Sequence, residues 1–175
     1  SGANTVYTSS DGVLLSGDAK SILWFPMGKR GDYALPATVK AVGPYAFREC
    51  SIEKFVFPAG LTKIGECAFY NSKVREVVLP STLKMLPTGV FQKCADLKTV
   101  RLGDDVELLS DYVFDGCPLT DLYITAPLPP VCGSNTFATT GADFVKTCRL
   151  HVPKGRKKYY RANAKWNVFD NIVEE

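Results

Sequence analysis

The sequence predicts an α+β, mostly β, solenoid of about five coils of 22–23 residues each, in a single domain spanning 1–175. Three observations support this fold class: phenylalanines recur at a near-constant interval, a strand pattern precedes each of them, and the pattern is lost at both ends. We expect an N-terminal β-hairpin cap over 1–32, repeats over 33–153, and a C-terminal cap containing a short helix over 154–175.

The recurring phenylalanines set the period. Each one follows the same order of apolar residues, and the intervals between them are 22, 22, 23 and 23 residues. One coil of this length cannot bury its apolar face alone, whereas stacked coils bury it in a continuous column. The residues that define the period are Phe47, Phe69, Phe91, Phe114 and Phe137.

Each unit begins with a short strand. Alternate residues are apolar, as in Phe55 and Phe57 or Val77 and Leu79, and this alternation sends them to one face. In three units a proline then ends the strand, because proline cannot continue a hydrogen-bonded ladder. The prolines are Pro36, Pro58 and Pro80, and the apolar pairs that follow the strands are Val39/Val42, Leu61/Ile64, Leu83/Leu86 and Val106/Leu109.

A turn and a phenylalanine complete each unit. We expect Gly43 and Gly65 to give the turn its backbone freedom. A small residue before the phenylalanine, as in Ala46-Phe47, suggests a single turn of helix laid against the core.

Both ends depart from the repeat. Residues 5–26 indicate a β-meander, because Asp11-Gly12 between apolar runs is a strong hairpin signal. Near the other end, the alternation over 148–153 predicts a last strand, and a short helix is expected over about 155–164. Four apolar residues after this helix are expected to return onto the core: Trp166, Val168, Phe169 and Ile172.

Composition limits the class of protein. The chain is 46% hydrophobic and 22% charged, as in ordinary water-soluble domains, and its apolar runs fall short of the ~18 residues of a membrane span. We therefore expect no membrane insertion by this chain. Its polar, uncharged start lacks a signal peptide, and since it begins without Met, a secretion signal is expected to have been removed.

Basic residues are concentrated near the C-terminus. Residues 144–169 hold eight of the 21 Lys and Arg residues and no acidic residue, so the rest has 13 basic and 18 acidic groups, a net charge of −5. We interpret this segment as a solvated capping helix, with binding of an anionic partner as the alternative. The eight residues are Lys146, Arg149, Lys154, Arg156, Lys157, Lys158, Arg161 and Lys165.

The repeat resembles the BspA-like leucine-rich repeats, also called the Treponema pallidum type, of bacterial cell-surface proteins. The shared pattern is a strand ending in proline, then x-x-Val/Leu-x-x-Ile/Val-Gly-x-x-Ala-Phe-x-x-Cys, which residues 33–50 match almost throughout. Later units depart from it, with Ser72 near the expected Cys, and Pro87 and Ser110 in place of Gly. The resemblance extends to both ends of the chain, and it implies secretion or surface attachment, with adhesion or protein binding as the role.

Three of the six cysteines occupy one repeat position, just after the phenylalanine. Cys50, Cys94 and Cys117 are expected to form a buried ladder of small side chains along the solenoid. The absence of a Cys-x-x-Cys pair argues against a metal site, so we expect no metal and no cofactor. Cys132 and Cys148 lie near the C-terminal cap, where a disulfide between them is an alternative.

Motifs typical of enzymes are missing from the sequence. His151 is the only histidine, and we interpret it as an outward-facing surface residue. The chain has no Gly-x-Ser-x-Gly elbow, phosphate-binding loop or dinucleotide fingerprint, and a hydrolase would have to be built around His151. Asp104, Asp105 and Glu107 are interpreted as a solvated turn, with a calcium site as the alternative. We therefore predict that the chain is not an enzyme.

A ligand would be expected on the concave face that the strands line in leucine-rich repeats. Arg and Tyr side chains are enriched in protein interfaces, so we predict a site centred on Arg101 and Tyr123, although exposed sheet positions also favour Val and Tyr. The central outward row is Ala34, Val56, Val78, Arg101, Tyr123 and His151, and the adjacent row is Asp32, Lys54, Glu76, Thr99, Asp121 and Arg149.

These observations predict a non-enzymatic, monomeric protein-binding or adhesion module of a secreted or surface-attached bacterial protein. Its partner is expected to be another protein, of the host or of the bacterial surface. A carbohydrate-binding module would show a row of exposed aromatic residues, and only Tyr123 is clearly placed that way. A structural spacer is the other alternative. Nucleic-acid binding is not expected, because Tyr159 and Tyr160 in the basic segment are better explained by cap packing.

Overall fold

The computed structural model describes residues 5–138 and 144–175. Short strands of two to six residues dominate these segments, and two short helices lie near the C-terminus. The elements are β1 (Tyr7–Ser10), β2 (Val13–Ser16), β3 (Ser21–Trp24), β4 (Arg30–Ala34), β5 (Ala41–Val42), β6 (Ser51–Val56), β7 (Lys63–Ile64), β8 (Glu76–Val78), β9 (Met85–Leu86), β10 (Thr99–Leu102), β11 (Leu108–Leu109), β12 (Asp121–Ile124), β13 (Val131–Cys132), α1 (Phe144–Thr147), β14 (Arg149–Val152), α2 (Lys157–Ala162) and β15 (Asn171–Glu174).

The main sheet is parallel and carries one strand from each coil. Its order is β4-β6-β8-β10-β12-β14-β15, so every neighbour in the sheet is the next long strand along the chain. This arrangement is a solenoid, and it confirms the predicted fold class. As predicted, β4, β6 and β8 end before Pro36, Pro58 and Pro80.

The short strands form a second ladder on another side of the coils. One part has the order β1-β2-β3-β5-β7 and includes the N-terminal meander with the predicted hairpin, whose turn has positive φ at Asp11 and Gly12. The other part, β9-β11-β13, is separate. The break falls at Pro87. At the equivalent position of the preceding coil, the amide of Gly65 donates to the carbonyl of Val42, whereas proline has no amide hydrogen to donate.

Gly43 and Gly65 have a different role from the one predicted. Neither residue has a positive φ. Instead, adjacent coils approach too closely for a side chain, since a Cβ at Gly65 would lie 2.4 Å from the Pro44 backbone nitrogen. Gly65 is therefore required for close stacking rather than for backbone freedom, and a Cβ at Gly43 would be tight in the same way, 3.1 Å from the Ile22 carbonyl oxygen.

The segment around each phenylalanine is not a helical turn, which corrects the prediction for Ala46-Phe47. Amide groups alternate between two kinds of acceptor: Ala46 donates to Gly43 of its own coil, whereas Phe47 donates to Ala68 of the next coil. The alternation requires residues with a left-handed backbone conformation, that is, with positive φ, and such residues occupy two positions in each of four coils. These are Tyr45, Cys67, Gly89 and Tyr112 at one position, and Glu49, Asn71, Lys93 and Gly116 at the other.

The phenylalanines form a stacked ladder through the core. Phe47 and Phe69 are 4.9 Å apart between ring centroids, with the rings only 8° from parallel. The ladder begins one coil earlier than the sequence predicted, because Phe25 packs 5.0 Å from Phe47. It also ends differently: Phe114 contacts Phe144 of α1, whereas Phe137 packs against Trp166 and Phe169 of the C-terminal cap.

The main sheet has seven strands in the described residues, compared with the five coils expected. Five of them, β4, β6, β8, β10 and β12, precede the five phenylalanines that defined the expected coils, and β14 is the last strand predicted over 148–153. The additional strand lies in the predicted C-terminal cap. This strand, β15, pairs in parallel with β14, so the segment that was expected only to cover the core also extends the sheet. The predicted boundaries between caps and repeats remain a prediction, and residues 1–4 and 139–143 within them lie outside the described residues.

The C-terminal cap closes the last coils with buried polar contacts. The α2 helix lies within the predicted range, and its Tyr160 is fully buried and donates to the Ala126 carbonyl over 2.9 Å. The Trp166 indole donates to the Pro130 carbonyl over 2.8 Å. Neither described helix is long and apolar enough to cross a membrane.

Cys50, Cys94 and Cys117 form the buried ladder that their spacing predicted. Ser72 occupies this position in the second coil, and its hydroxyl lies 3.3 Å from the Cys94 thiol. All six cysteines are free thiols in the structure, so Cys132 and Cys148 are not bridged. Burial raises the pKa of both thiols to about 12, and they are therefore protonated and poor nucleophiles at neutral pH.

Candidate functional site

The two outward rows predicted from the sequence lie across neighbouring strands of the main sheet. In the central row, Arg101 pairs with Val78 on one side and with Tyr123 on the other. Tyr123 pairs with His151, and the row continues one strand further, to Val173 of β15. In the adjacent row, Lys54 pairs with Glu76, and Asp121 pairs with Thr99 and Arg149.

The N-terminal half of the central row is open and apolar. Val56 and Val78 are 52% and 51% exposed, and Lys54 and Glu76 of the adjacent row are also exposed. Two valines in neighbouring coils, left half exposed beside a charged row, form a mixed surface of the kind found at protein interfaces.

The C-terminal half of the row is a stack of three side chains. The guanidinium carbon of Arg101 lies 3.5 Å from the centroid of the Tyr123 ring. The Tyr123 and His151 rings are 4.0 Å apart and 11° from parallel. Because Arg101 and His151 come from opposite neighbouring strands, they cover the two faces of Tyr123 and hold its ring in place.

His151 is buried, which corrects its interpretation as a plain surface residue. It is only 7% exposed although its position in the strand faces outward. Its Nδ1 lies 2.6 Å from a carboxylate oxygen of Glu175, and its Nε2 lies 2.9 Å from one of Asp121. With both ring nitrogens engaged and one face on Tyr123, His151 is a fixed link between β12, β14 and the chain end rather than a free base.

Asp121 is the other buried polar residue of the site, with 8% exposure. The Nε of Arg149 donates to its carboxylate over 2.8 Å. Burial favours the neutral acid, but the hydrogen bonds from Arg149 and His151 outweigh it and lower the pKa of Asp121 to about 2. Asp121 is therefore ionised and paired at neutral pH, and it is a structural part of the site rather than an exposed ligand-binding group.

A cleft of about 290 Å³ opens beside the stack at the end of the strands. Tyr123 and His151 form one part of its wall, and Arg101 and Glu175 are its charged groups. Its remaining wall comes from the ends of β10, β12 and β14: Leu102, Ile124, Thr125, Val152 and Pro153. The sequence could not indicate this cleft, because Glu175 belongs to the chain end and reaches the site only through the pairing of β15 with β14.

The second ladder of short strands carries a separate cleft of about 430 Å³ at the break between β7 and β9. Gly43, Gly65 and Pro87 form its floor and edge, and Lys63 and Met85 extend from its strands into solvent. Few polar side chains lie in this cleft. Its exposed Lys63 and Met85 provide control positions for variants of the main sheet.

Several residues of the basic segment are engaged with the cap itself. Arg161 donates to the carbonyls of Phe169 and Asp170, and Lys165 donates to that of Ser134. These contacts favour the interpretation of this segment as a capping element. In the acidic turn considered as an alternative calcium site, Glu107 pairs with Lys84 over 3.2 Å, and no group of acidic, His or Cys residues suited to a metal occurs in the described parts of the chain.

Solved structures of similar shape come from bacteria. The pneumococcal vaccine antigen PcpA superposes with a TM-score of 0.74 and 26% identity, over 98% of this chain and 48% of that protein. A leucine-rich repeat protein from Eubacterium ventriosum gives 0.70 and 25%, over 87% and 40% of the two chains. A leucine-rich cell surface protein from Faecalibacterium prausnitzii shares the fold, with 0.65 and 21%, over 78% and 40%. The chain thus spans less than half the length of each of these proteins.

None of the curated proteins matches the sequence significantly. Its repeats, however, match the BspA type leucine-rich repeat region in six copies over residues 30–141, which is more than half of the chain. This match agrees with the stacked phenylalanines, the parallel strands and the similar solved structures, and it confirms the resemblance inferred from the repeat pattern. The chain belongs to the BspA type leucine-rich repeat family.

Proposed function

We propose that this chain is a non-enzymatic protein-binding module of a secreted or surface-attached bacterial protein, and that it binds its partner on the main sheet around Arg101 and Tyr123. The observation that supports this most strongly is the stack of Arg101, Tyr123 and His151 next to exposed valines. Tyr and Arg residues dominate binding energy in protein interfaces, and side chains that are held in place before binding lose little entropy.

The descriptions of the similar solved structures support the proposed location of the protein outside the cell. One is described as a vaccine antigen and another as a cell surface protein. A module displayed outside a bacterial cell would meet proteins of a host or of the bacterial surface, so adhesion is the role that we propose. We propose that the module acts as a monomer.

Carbohydrate binding has less support than protein binding. A sugar ring would need an open aromatic face, but Arg101 and His151 cover both faces of Tyr123. A spacer role would require no site at all, and it would not explain a guanidinium held over an aromatic ring beside a cleft.

The test is a pull-down with the purified chain against host extracellular-matrix proteins and the surface fraction of the producing cell. The site variant is Arg101→Glu/Tyr123→Ala. The matched control is Lys63→Glu/Met85→Ser, which makes the same kind of change on exposed residues of the second ladder. A partner that is retained by the control and lost by the site variant supports the proposal. A partner retained by both, or lost only by the control, refutes the proposed location.

A further inference from the structure

Arg101 carries a positive charge that forms no ion pair with any of the residues that the structure describes. The residue is exposed. The two carboxylates that contact His151 of the stack are already engaged, because Asp121 accepts from Arg149 and His151, and Glu175 contacts His151. The guanidinium of Arg101 is therefore available to a partner.

The stacking on Tyr123 also sets the direction in which Arg101 can bind. A guanidinium whose carbon lies 3.5 Å above a ring centroid has its flat face covered. Its N–H groups lie in the plane of the guanidinium, so they point sideways into solvent and toward the cleft that Arg101 lines. This edge presents parallel donors with the spacing of the two oxygens of a carboxylate.

We infer that the Arg101 edge of the cleft is a seat for an acidic side chain, Asp or Glu, of a protein partner. This inference rests on the proposed function, since it names the chemistry of the partner at the same site. Adjacent strands are ~4.8 Å apart, so Val78 lies one strand from Arg101 and Val56 about 10 Å away. The segment that fits the row therefore carries a carboxylate at Arg101 and apolar side chains over the two valines.

A carboxylate fits this seat better than a phosphate group. Phosphopeptide-binding domains use clusters of arginines, and here a single unpaired arginine lines the cleft. Glu175, which also lines the cleft, is 56% exposed at its side chain, and its negative charge repels a doubly charged phosphate more than a singly charged carboxylate. One guanidinium and one carboxylate match in charge as well as in geometry.

Selection from a display library of random 12-residue peptides tests the inference, and the natural partner need not be known. The library is selected on the immobilised wild-type chain, on Arg101→Gln and on Lys63→Gln, the matched loss of one exposed positive charge from the second ladder. We expect Asp or Glu to be enriched at one position of the peptides selected on the wild type and on Lys63→Gln, and this enrichment to disappear on Arg101→Gln.

A titration of the best selected peptide completes the test. Replacing its enriched acid by the amide, Asp→Asn or Glu→Gln, is expected to weaken binding to the wild-type chain by ~10- to 100-fold, and to change binding to Arg101→Gln by less than ~3-fold. Because the amide exchange is made in the peptide, its effect on binding to the wild-type chain does not depend on the folding of a protein variant. Arg101→Lys, which keeps the charge but not the paired donors, is expected to bind between the two.

The outcomes separate this inference from the proposed function. Peptides without a preferred acid that lose binding on Tyr123→Ala overturn the acidic seat and leave the binding surface in place. An acid preference that persists on Arg101→Gln also overturns the seat. Peptides that bind all main-sheet variants equally overturn the inference and the proposed function together.

Discussion

Replacing Gly65 with alanine tests the close stacking of the coils. The added Cβ would lie 2.4 Å from the Pro44 nitrogen and 2.6 Å from the Gly43 carbonyl carbon, and both atoms are backbone, which cannot rotate away. Ordinary contact needs about 3.4 Å, so the two coils must separate locally by about 1 Å.

That separation breaks hydrogen bonds between the coils. The bond from the Gly65 amide to Val42 is 2.8 Å long, and those from Lys63 to Lys40 and from Tyr45 to Glu66 are 3.2 and 3.1 Å long. Lengthened by about 1 Å, all three pass beyond hydrogen-bond range. At ~1 kcal/mol each, their loss lowers the free energy of unfolding by about 3 kcal/mol.

Urea unfolding followed by circular dichroism measures the effect, and the chain supplies its own control. Gly28 has no positive φ and no atom within 4 Å of its added Cβ, so Gly28→Ala is expected to leave the free energy of unfolding unchanged or to raise it by less than ~1 kcal/mol. Equal unfolding midpoints for Gly65→Ala and Gly28→Ala would refute the argument from close stacking.

Three further substitutions test the core, the site and the break in the second ladder. Phe91→Ala removes a fully buried ring from the middle of the ladder and should lower the free energy of unfolding by ~3–5 kcal/mol, as measured in urea; a loss below ~1 kcal/mol would contradict the ladder. Asp121→Asn should lower the free energy of unfolding by about 2 kcal/mol at neutral pH, because it removes the pair with Arg149. Since the pKa of Asp121 in the folded protein is lowered to about 2, the wild type should lose this extra stability as pH falls from about 4 toward 2. Matching profiles of stability against pH for the two proteins would disprove this account. Pro87→Ala supplies an amide that can donate to Ile64, so hydrogen exchange should show residue 87 protected, whereas rapid exchange there would show that the sheet break has another cause.

The period of the core was predictable, because it depends on the side chains of one coil repeating in the next. Phe47, Phe69 and Phe91 identified the coil length, and the strands ended at the prolines that the pattern indicated. The turn after each strand was misjudged, because a glycine needed for close approach and one needed for positive φ look alike in a sequence. The φ angle of Gly65 and its distance to the neighbouring backbone distinguish them.

The ends of the solenoid were less predictable for a related reason. Phe25 lies 22 residues before Phe47, but the residues preceding it belong to the meander and do not follow the repeat, so its place in the ladder was missed. Phe137 keeps the interval but packs in the cap, because Phe144 takes the place next to Phe114.

The outward rows were predictable from strand alternation, and the structure places Arg101 beside Tyr123 as the register required. The burial of His151 was not predictable, because it depends on Glu175, which is 24 residues away, and on Asp121, which is 30 residues away. The position of a residue in a strand specifies the face that its side chain occupies. The exposure of that side chain also depends on the residues that neighbouring strands bring to the same face.

A partner is proposed to bind the main sheet around Arg101 and Tyr123. The most direct test is the affinity of the partner recovered by pull-down, measured by biolayer interferometry for Arg101→Gln, Tyr123→Ala and the control Met85→Ser. We predict that the first two variants each weaken binding by about 30-fold, the equivalent of ~2 kcal/mol, and that Met85→Ser leaves it within ~2-fold of the wild type. Unchanged affinity for Arg101→Gln and Tyr123→Ala, or a loss with Met85→Ser alone, would contradict the claim.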